Sequence, residues 1–296
     1  MFGIRLFQII AGLILLAVIA YIGVSIYIAS VLTVPGKSPV TYDKANIGRG
    51  ADVVFRSKDN LQLAGWFFPG TNGKAIMFVH GAGNMNRANE VYGTPEIAKY
   101  FLDLGYTILL FDLRGTGESQ YSRISFGQYE RNDVAGAFEY LVGQEYKPQS
   151  IGIISDSLGA IATIMASNDV KAAGGIVLDS PATVVRPIVS DIMLKEHNVP
   201  LFLHPGIYFA AKTLYRIDVD VVRPVDYISP LKETPLLFLH GENDTLIPPQ
   251  NSADLLTLVD KGQRVLFPGA KHVETFKTNP ELYKQTVGDF FSKNLK

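Results

Sequence analysis

The chain of 296 residues contains no cysteine. Disulfides, thiolate metal sites and a cysteine nucleophile are therefore excluded. The chain also lacks an excess of charge of either sign, because 27 Lys and Arg stand against 28 Asp and Glu, and we expect no nucleic-acid partner. The remaining composition, 47% hydrophobic and 19% charged, is that of a globular protein. A chain of this length can bury a core without a metal or disulfide.

Charge is missing altogether from residues 6–32. A helix of this length exceeds the roughly 30 Å hydrocarbon core of a bilayer. Tyr21 and Tyr27 lie near one end of the segment, where aromatic rings favour the membrane interface. We therefore predict a transmembrane helix, and assign residues 1–37 to an N-terminal membrane anchor with its flank.

Two other interpretations of this segment remain open. A cleaved signal peptide has an apolar region of about 7–15 residues before a small-residue cleavage site. Ala29 and Ser30 are small, but the apolar run is longer than that. A buried core helix normally carries a polar face, which this segment almost lacks.

Basic residues at the two ends of the segment bear on its orientation. Arg5 and the amino terminus favour a cytoplasmic tail, which would place the rest of the chain outside. Lys37, Lys44 and Arg49 favour the reverse. We predict a single-pass membrane protein with residues 38–296 on the extracytoplasmic side.

Beyond the anchor, strand patterns alternate with helix patterns. Several predicted strands are continuous apolar runs, which are typical of strands buried on both faces of a mostly parallel sheet flanked by helices. The fold class is therefore α/β. The predicted strands are residues 52–56, 61–68, 75–79, 106–111, 151–154, 175–178, 235–239 and 264–267. The predicted helices are residues 95–104, 129–142, 158–166, 253–259 and 281–294.

Residues 182–233 interrupt this alternation, because they contain no clear strand. A structureless loop of this length is unusual in a compact domain, so we predict a helical lid insertion over the carboxyl edge of the sheet. Part of it is strongly apolar, and those side chains could form an ordinary core, face a substrate, or do both. They are Leu201, Phe202, Leu203, Ile207, Tyr208 and Phe209.

The segment Ser155-Asp156-Ser157-Leu158-Gly159 lies between a predicted strand and a predicted helix. A sharp turn there would expose one serine at a helix N-terminus, with small residues needed on both sides. Ser157 satisfies this, with Ser155 two residues before it and Gly159 two after it. A capping serine is the alternative interpretation. The amides of Ala82, in the loop that follows residues 75–79, and of Leu158 are the candidate oxyanion hole, although glycines also serve plain turns.

Of the histidines, His272 suits a general base, because it lies in a loop between the last predicted strand and the last helix. The acid that orients it should follow the serine in the chain. Asp179 and Asp244 both follow strands after Ser157. We favour Asp244, because its strand directly precedes the strand that leads to His272. The other histidines suit structural roles (His80 and His240) or lie in the lid insertion (His197 and His204).

These motifs resemble the α/β-hydrolase superfamily, in particular membrane-anchored hydrolases similar to the serine aminopeptidase-like group. The resemblance covers roughly residues 53–296. It implies the α/β-hydrolase fold, a Ser157, His272 and Asp244 triad, and hydrolysis of an ester or amide through an acyl-enzyme. The family usually has Gly where this chain has Ser155. The matching motifs are His80-Gly81 with Gly83-Asn84, residues 112–119, Ser157-Leu158-Gly159, His240-Gly241 with Asp244 and Ile247-Pro248, and Pro268-Gly269-Ala270 with His272.

Two functions follow from these observations. The first is a serine hydrolase that cleaves an ester, thioester or amide of a small-molecule or lipid-like acyl substrate near a membrane, with a peptide substrate still possible. No metal or organic cofactor is implied. The second is a non-catalytic, membrane-tethered binding protein that retains the hydrolase fold, for which Ser155 is the only support.

Overall fold

The computed structural model describes residues 2–36, 38–83 and 85–296. Its central element is one sheet of eight strands. The strands are β1 (Ala51–Arg56), β2 (Gln62–Phe68), β3 (Ala75–Val79), β4 (Thr107–Phe111), β5 (Ile151–Asp156), β6 (Gly175–Asp179), β7 (Leu236–Gly241) and β8 (Gly262–Phe267). Their order is β1-β2-β4-β3-β5-β6-β7-β8. The β1–β2 and β2–β4 pairs are antiparallel and all others are parallel, which confirms the mostly parallel sheet.

Helices cover both faces of this sheet. Alternate residues of β3 point to opposite faces: Met77 packs in the core on the α3 and α4 side, and Phe78 in the core on the α2 and α11 side. The helices are α1 (Phe2–Thr33), α2 (Thr94–Asp103), α3 (Glu130–Gly143), α4 (Leu158–Met165), α5 (Ser167–Val170), α6 (Val185–Lys195), α7 (His204–Tyr215), α8 (Pro224–Tyr227), α9 (Gln250–Leu256), α10 (Thr275–Thr278) and α11 (Pro280–Asn294).

Several predicted boundaries differ from the structure near the carboxyl edge: β6 ends at Asp179 and β7 at Gly241, one and two residues past their predicted ends. Strand β5 continues two residues past the predicted end, because Ser155 and Asp156 pair with Leu178 and Asp179 of β6. Helix α9 begins three residues earlier than predicted, because Pro249 stands at its N-cap and is compatible with a helix start. Asp156, Asp179 and the residues after Gly241 therefore lie together at the carboxyl edge of the sheet, where β5, β6 and β7 end.

The lid insertion contains α6, α7 and α8, between β6 and β7. Leu203 and Ile207 are buried in a core that they share with Ala29 of α1 and Ile161 of α4, and Tyr208 is partly buried against it. Leu201, Phe202 and Phe209 are exposed. The division of the chain into residues 1–37 (of which Met1 and Lys37 lie outside the described residues), 38–296 and the lid insertion stays a prediction.

Helix α1 changes character along its length. Its first part is exposed and apolar, and the helix as a whole, over Ile4–Thr33, is long and apolar enough to cross a membrane. Its last turns dock on the lid insertion, because Ser25, Ala29 and Thr33 are buried at intervals of four residues. Arg123 donates hydrogen bonds to the Ser30 carbonyl oxygen at 3.0 Å and to Thr33 Oγ1 at 2.8 Å. The end of α1 is therefore part of the folded domain.

Candidate active site

Ser157 occupies a strained turn between β5 and α4. Its φ of 47° and ψ of −115° lie in a region that L-residues rarely adopt. Its N–H donates to the Asp179 carbonyl oxygen at 2.9 Å, which ties the turn to β6. Gly159 is required two residues later, because a Cβ there would overlap the Val79 carbonyl oxygen.

Ser155 fits the position where the family usually has glycine. Its side chain is buried, and Oγ donates to the Val177 carbonyl oxygen of β6 at 3.1 Å. The hydroxyl is thus satisfied by the sheet and is directed away from solvent, so Ser155 leaves the turn at Ser157 in place. Of the two serines, Ser157 is the one that meets a histidine.

The imidazole of His272 lies between Ser157 and Asp244. Its Nε2 is 2.8 Å from Ser157 Oγ, and its Nδ1 is 2.7 Å from Asp244 Oδ2. Only about a sixth of the His272 side chain is exposed. The structure therefore brings together the three residues predicted as serine, base and acid, in the order that proton transfer from the serine requires.

Asp244 is held as a buried carboxylate. Its Oδ1 accepts hydrogen bonds from the N–H groups of Leu246 at 3.0 Å and Ile247 at 2.9 Å, and its Oδ2 lies 3.3 Å from His240 Nε2 as well as on His272. Burial alone would raise the pKa of Asp244, but the hydrogen bonds from His240 and His272 outweigh burial and hold this pKa well below its usual value. The acid is thus ionised at neutral pH.

Asp179, the other candidate for the acid, lies beneath the loop that carries His272 but does not contact the His272 imidazole. Its carboxylate accepts hydrogen bonds from the hydroxyls of Ser180, at 3.0 Å, and Thr275. Ser180 Oγ in turn accepts the N–H of Val273, whose φ of 57° is unusual for a β-branched residue. Asp179 therefore supports the loop that carries His272, a role that the sequence did not reveal.

Asp156 and Asp179 form a carboxyl pair behind the serine, of which Asp179 is buried. They are direct partners on β5 and β6, and a cavity of about 30 Å³, room for one or two water molecules, adjoins them beside Tyr92 and Tyr283. Burial and the neighbouring Asp179 carboxylate raise the pKa of Asp156 to about 8. Burial also raises the pKa of Asp179. Asp156 is thus largely protonated at neutral pH.

The loop after β3 lies against the serine. A Cβ built on Gly81 would be 3.2 Å from Ser157 Cβ, so the next residue, Ala82, is close to the reaction centre. Among the described residues, neither the Ala82 N–H nor the Leu158 N–H donates to a protein acceptor. These two N–H groups are the predicted oxyanion donors, and Asn84 of the same motif lies outside the described residues.

A buried ion pair that sequence reasoning missed supports this loop. Asp112 Oδ1 accepts the Arg87 N–H at 2.6 Å, and Asp112 Oδ2 lies 2.8 Å from the Arg87 guanidinium. Asp112 Oδ2 also accepts the Glu118 N–H at 2.8 Å. His80 accepts the Leu113 N–H at 3.1 Å, in agreement with its predicted structural role. The spacing of Arg87 and Asp112, 25 residues apart, gave no signal that they would meet.

Arg114 of the same 112–119 segment has a structural role. Its guanidinium bonds the buried carboxylate of Asp133 and the partly exposed carboxylate of Asp59, at 2.7 Å and 2.8 Å for the shortest contacts. It therefore joins the β1–β2 turn to α3. Arg114 contacts none of Ser157, His272 and Asp244.

Comparison with known proteins identifies the family. A family model described as serine aminopeptidase, S33, matches residues 70–222, slightly more than half of the chain. The chain belongs to this family. The matched residues include Ser157, Ala82 and Leu158, but end before Asp244 and His272.

Relatives and solved structures agree with this membership. The uncharacterized protein YqkD of Bacillus subtilis is 25% identical over 94% of each chain, and the uncharacterized protein YfhR of Escherichia coli K12 is 25% identical over 82% of this chain and 81% of its own. The Pyrococcus furiosus esterase Pf2001 superposes with a TM-score of 0.74 at 22% identity, over 90% of this chain and 99% of its own. The resemblance and the α/β-hydrolase fold are confirmed, and the family supports a hydrolase.

Proposed function

We propose that this protein is a serine hydrolase that cleaves an ester, thioester or amide through an acyl-enzyme. The observation that carries the proposal is the continuous hydrogen-bonded arrangement of Ser157, His272 and Asp244, with distances of 2.8 Å and 2.7 Å. An ordinary capping serine or a surface histidine would need neither the strained turn nor the buried carboxylate. The alternative, a non-catalytic binding protein, has lost its main support because Ser155 fits the turn without displacing Ser157.

In the first step His272 Nε2 takes the proton of Ser157 Oγ while Oγ attacks the substrate carbonyl carbon. The amides of Ala82 and Leu158 stabilise the negative charge that develops on the carbonyl oxygen. His272 then gives its proton to the leaving group as the bond to that group breaks. Asp244 holds the imidazole in the correct tautomer and stabilises its cation throughout.

In the second step a water molecule replaces the leaving group. His272 takes a proton from this water, the resulting hydroxide attacks the acyl carbon, and the proton returns to Ser157 Oγ as the carboxylic acid is released. Every proton in the two steps moves through His272 Nε2, so the chemistry needs only groups that this chain supplies. No metal or organic cofactor enters the proposal.

We also propose that α1 anchors the protein in a membrane and is not a cleaved signal. Its end packs against α7 of the lid insertion through Tyr21 and Ala29, and Arg123, in the segment before α3, bonds it at Ser30 and Thr33. Cleavage near Ala29 would remove part of that core. With the anchor retained, an apolar, lipid-like acyl substrate fits best, and Arg5 favours the extracytoplasmic side for the catalytic domain.

Fluorophosphonate labelling of the full chain tests the proposal. We expect labelling of the wild type and none of Ser157→Ala. His272→Ala should lose labelling as well, because the serine hydroxyl then has no base. Ser155→Gly is the matched control: it removes a neighbouring serine, restores the usual family residue and should keep labelling.

The rate of p-nitrophenyl ester hydrolysis extends the test. We expect Ser157→Ala to lower the rate by roughly 10⁴-fold or more, since the serine acts together with His272 as a unit. A folded wild type that takes no fluorophosphonate label would overturn the hydrolase proposal and restore the binding-protein alternative. Equal labelling of the wild type and Ser157→Ala would assign the reactive serine elsewhere.

A further inference from the structure

The lid insertion exposes large apolar side chains beside α1. Leu201, Phe202, Phe209 and Leu214 are each at least 54% exposed, and we call these four residues the lid patch. Phe209 and Leu214 line one apolar groove together with residues 21, 22, 25 and 26 of α1, with a volume of about 250 Å³. Exposed apolar surface of this kind marks an interaction site more often than a water-facing surface.

The start of α7 is fixed at the level of Tyr21 on α1. The Tyr21 hydroxyl donates to the Phe202 carbonyl oxygen at 3.1 Å and accepts the Gly206 N–H at 3.1 Å. A Cβ on Gly206 would lie 2.7 Å from Tyr21 Cε1, so only glycine allows this approach. Small residues at the contact, including Ser25, are typical of helices that pack inside membranes. The lid patch therefore cannot shift along α1 without breaking these contacts.

The length of α1 sets the depth of Tyr21 in a bilayer. Arg5 resists entry into hydrocarbon, so the hydrocarbon core begins close to Leu6. From Leu6 to Tyr21 the helix rises only about 22 Å, whereas the hydrocarbon core is roughly 30 Å thick. The core therefore extends past Tyr21, toward Ile26, so Tyr27 and not Tyr21 lies at the interface. The start of α7, with Leu201 and Phe202, lies at the depth of Tyr21, Phe209 follows about 5 Å further along α7, and Leu214 lies near the edge of the hydrocarbon.

The other end of the α1–α7 contact has the polarity of a membrane surface. There Arg123 bonds the end of α1 at Ser30 and Thr33, and its guanidinium lies 3.8 Å over the ring of Tyr215. Cations and aromatic rings with polar groups favour the interfacial region. The α1–α7 contact is thus apolar near Tyr21 and cationic near Thr33. This change in polarity matches the change from hydrocarbon to headgroups across one leaflet of the bilayer.

We propose that the lid patch is buried among the acyl chains of the bilayer that holds α1. The proposal rests on the membrane anchor proposed above. It adds a second, non-spanning contact with the leaflet that surrounds the C-terminal part of α1. The occupant is lipid, because the patch adjoins the exposed apolar surface of α1 and lies at hydrocarbon depth. The lid insertion is then held at the membrane surface, and the catalytic domain has a fixed orientation on the bilayer.

The absence of cysteine allows a direct test in the full chain. Three single variants, Leu13→Cys, Phe209→Cys and Leu104→Cys, would each be labelled with a nitrobenzoxadiazole fluorophore. Each would be reconstituted in vesicles of phosphatidylcholine and phosphatidylglycerol. Fluorescence would then be compared with and without doxyl-labelled lipid, which quenches a fluorophore among the acyl chains. Leu13 is an exposed position of α1, and Leu104 is an exposed apolar residue before β4, at the sheet edge opposite the lid insertion. We expect quenching at positions 13 and 209, and none at 104.

The three positions separate the possible outcomes. Quenching at 13 without quenching at 209 overturns the lid patch proposal and leaves the anchor intact. Unquenched fluorescence at both positions overturns the anchor and the lid patch together, while fluorophosphonate labelling still reports on the hydrolase. A blue-shifted but unquenched fluorophore at 209 would mean that protein, such as a second copy, covers the patch, and would also overturn the proposal.

Discussion

The carboxyl ends of β6 and β7 present two aspartates with opposite surroundings. Asp244, after β7, receives two backbone N–H groups and the imidazoles of His240 and His272. Asp179, at the end of β6, receives two hydroxyl groups and faces the carboxyl group of Asp156. Cationic and N–H partners favour a carboxylate, whereas burial beside another carboxyl group favours the protonated acid.

This difference shows that a place at the end of a strand fixes where an aspartate lies but not what it does. Both aspartates reach the same edge, and both serve His272, one through its ring and the other through its loop. Only the partners of each carboxyl group distinguish an acid that acts on the imidazole from one that supports the backbone. Three substitutions would sharpen or break this distinction.

The largest effect is expected for Asp244→Asn. An amide cannot stabilise the imidazolium and would favour the wrong tautomer of His272, so we expect kcat for p-nitrophenyl ester hydrolysis to fall about 10⁴-fold. Circular dichroism should show a folded protein. A loss of less than tenfold in a folded variant would mean that Asp244 is not the acid of the triad.

A much smaller effect is expected for Asp179→Asn, the matched counterpart. The amide oxygen can still accept a hydrogen bond from Thr275 or Ser180, so the His272 loop should remain close to its position. We expect kcat/KM to fall by less than about tenfold, a change of under 1.4 kcal/mol. If this variant is folded and loses as much activity as Asp244→Asn, the distinction between the two carboxyl groups is wrong.

The smallest effect concerns stability, through Asp156→Asn. The pKa of Asp156 is raised to about 8 in the folded protein, so the folded state binds more protons than the unfolded state between about pH 4 and pH 8. Asp156 therefore makes stability fall as pH rises through this window. We expect Asn at 156 to flatten the decline in melting temperature between pH 5 and pH 9. A decline as steep as in the wild type would contradict the raised pKa.

Much of the scaffold followed from local patterns. Continuous apolar runs such as 75–79 identified the buried parallel strands, because two-sided burial leaves no room for polar residues. Ser157, His272 and Asp244 were each marked by a position after a strand and by the order of the chain. The structure brings them together at hydrogen-bonding distance.

Long-range pairing did not follow from the sequence. Arg87 and Asp112 meet only because the loops after β3 and β4 leave neighbouring parallel strands on the same side. The docking of α1 was hidden for another reason: Ser25 and Ala29 are small and nearly apolar, and suit a lipid-facing surface as well as a helix contact. Small residues mark such contacts only once the partner helix is known.

Ser155 bears on the sequence patterns that are used to recognise hydrolases of this family. It donates to Val177 within the sheet, so the position before the nucleophile turn tolerates any side chain small enough to fit between β3 and β6. A search pattern that demands glycine there would pass over this chain, whereas Gly159 admits no replacement because it touches the Val79 carbonyl group. A pattern that accepts a small residue at the first position and keeps the second glycine includes this chain.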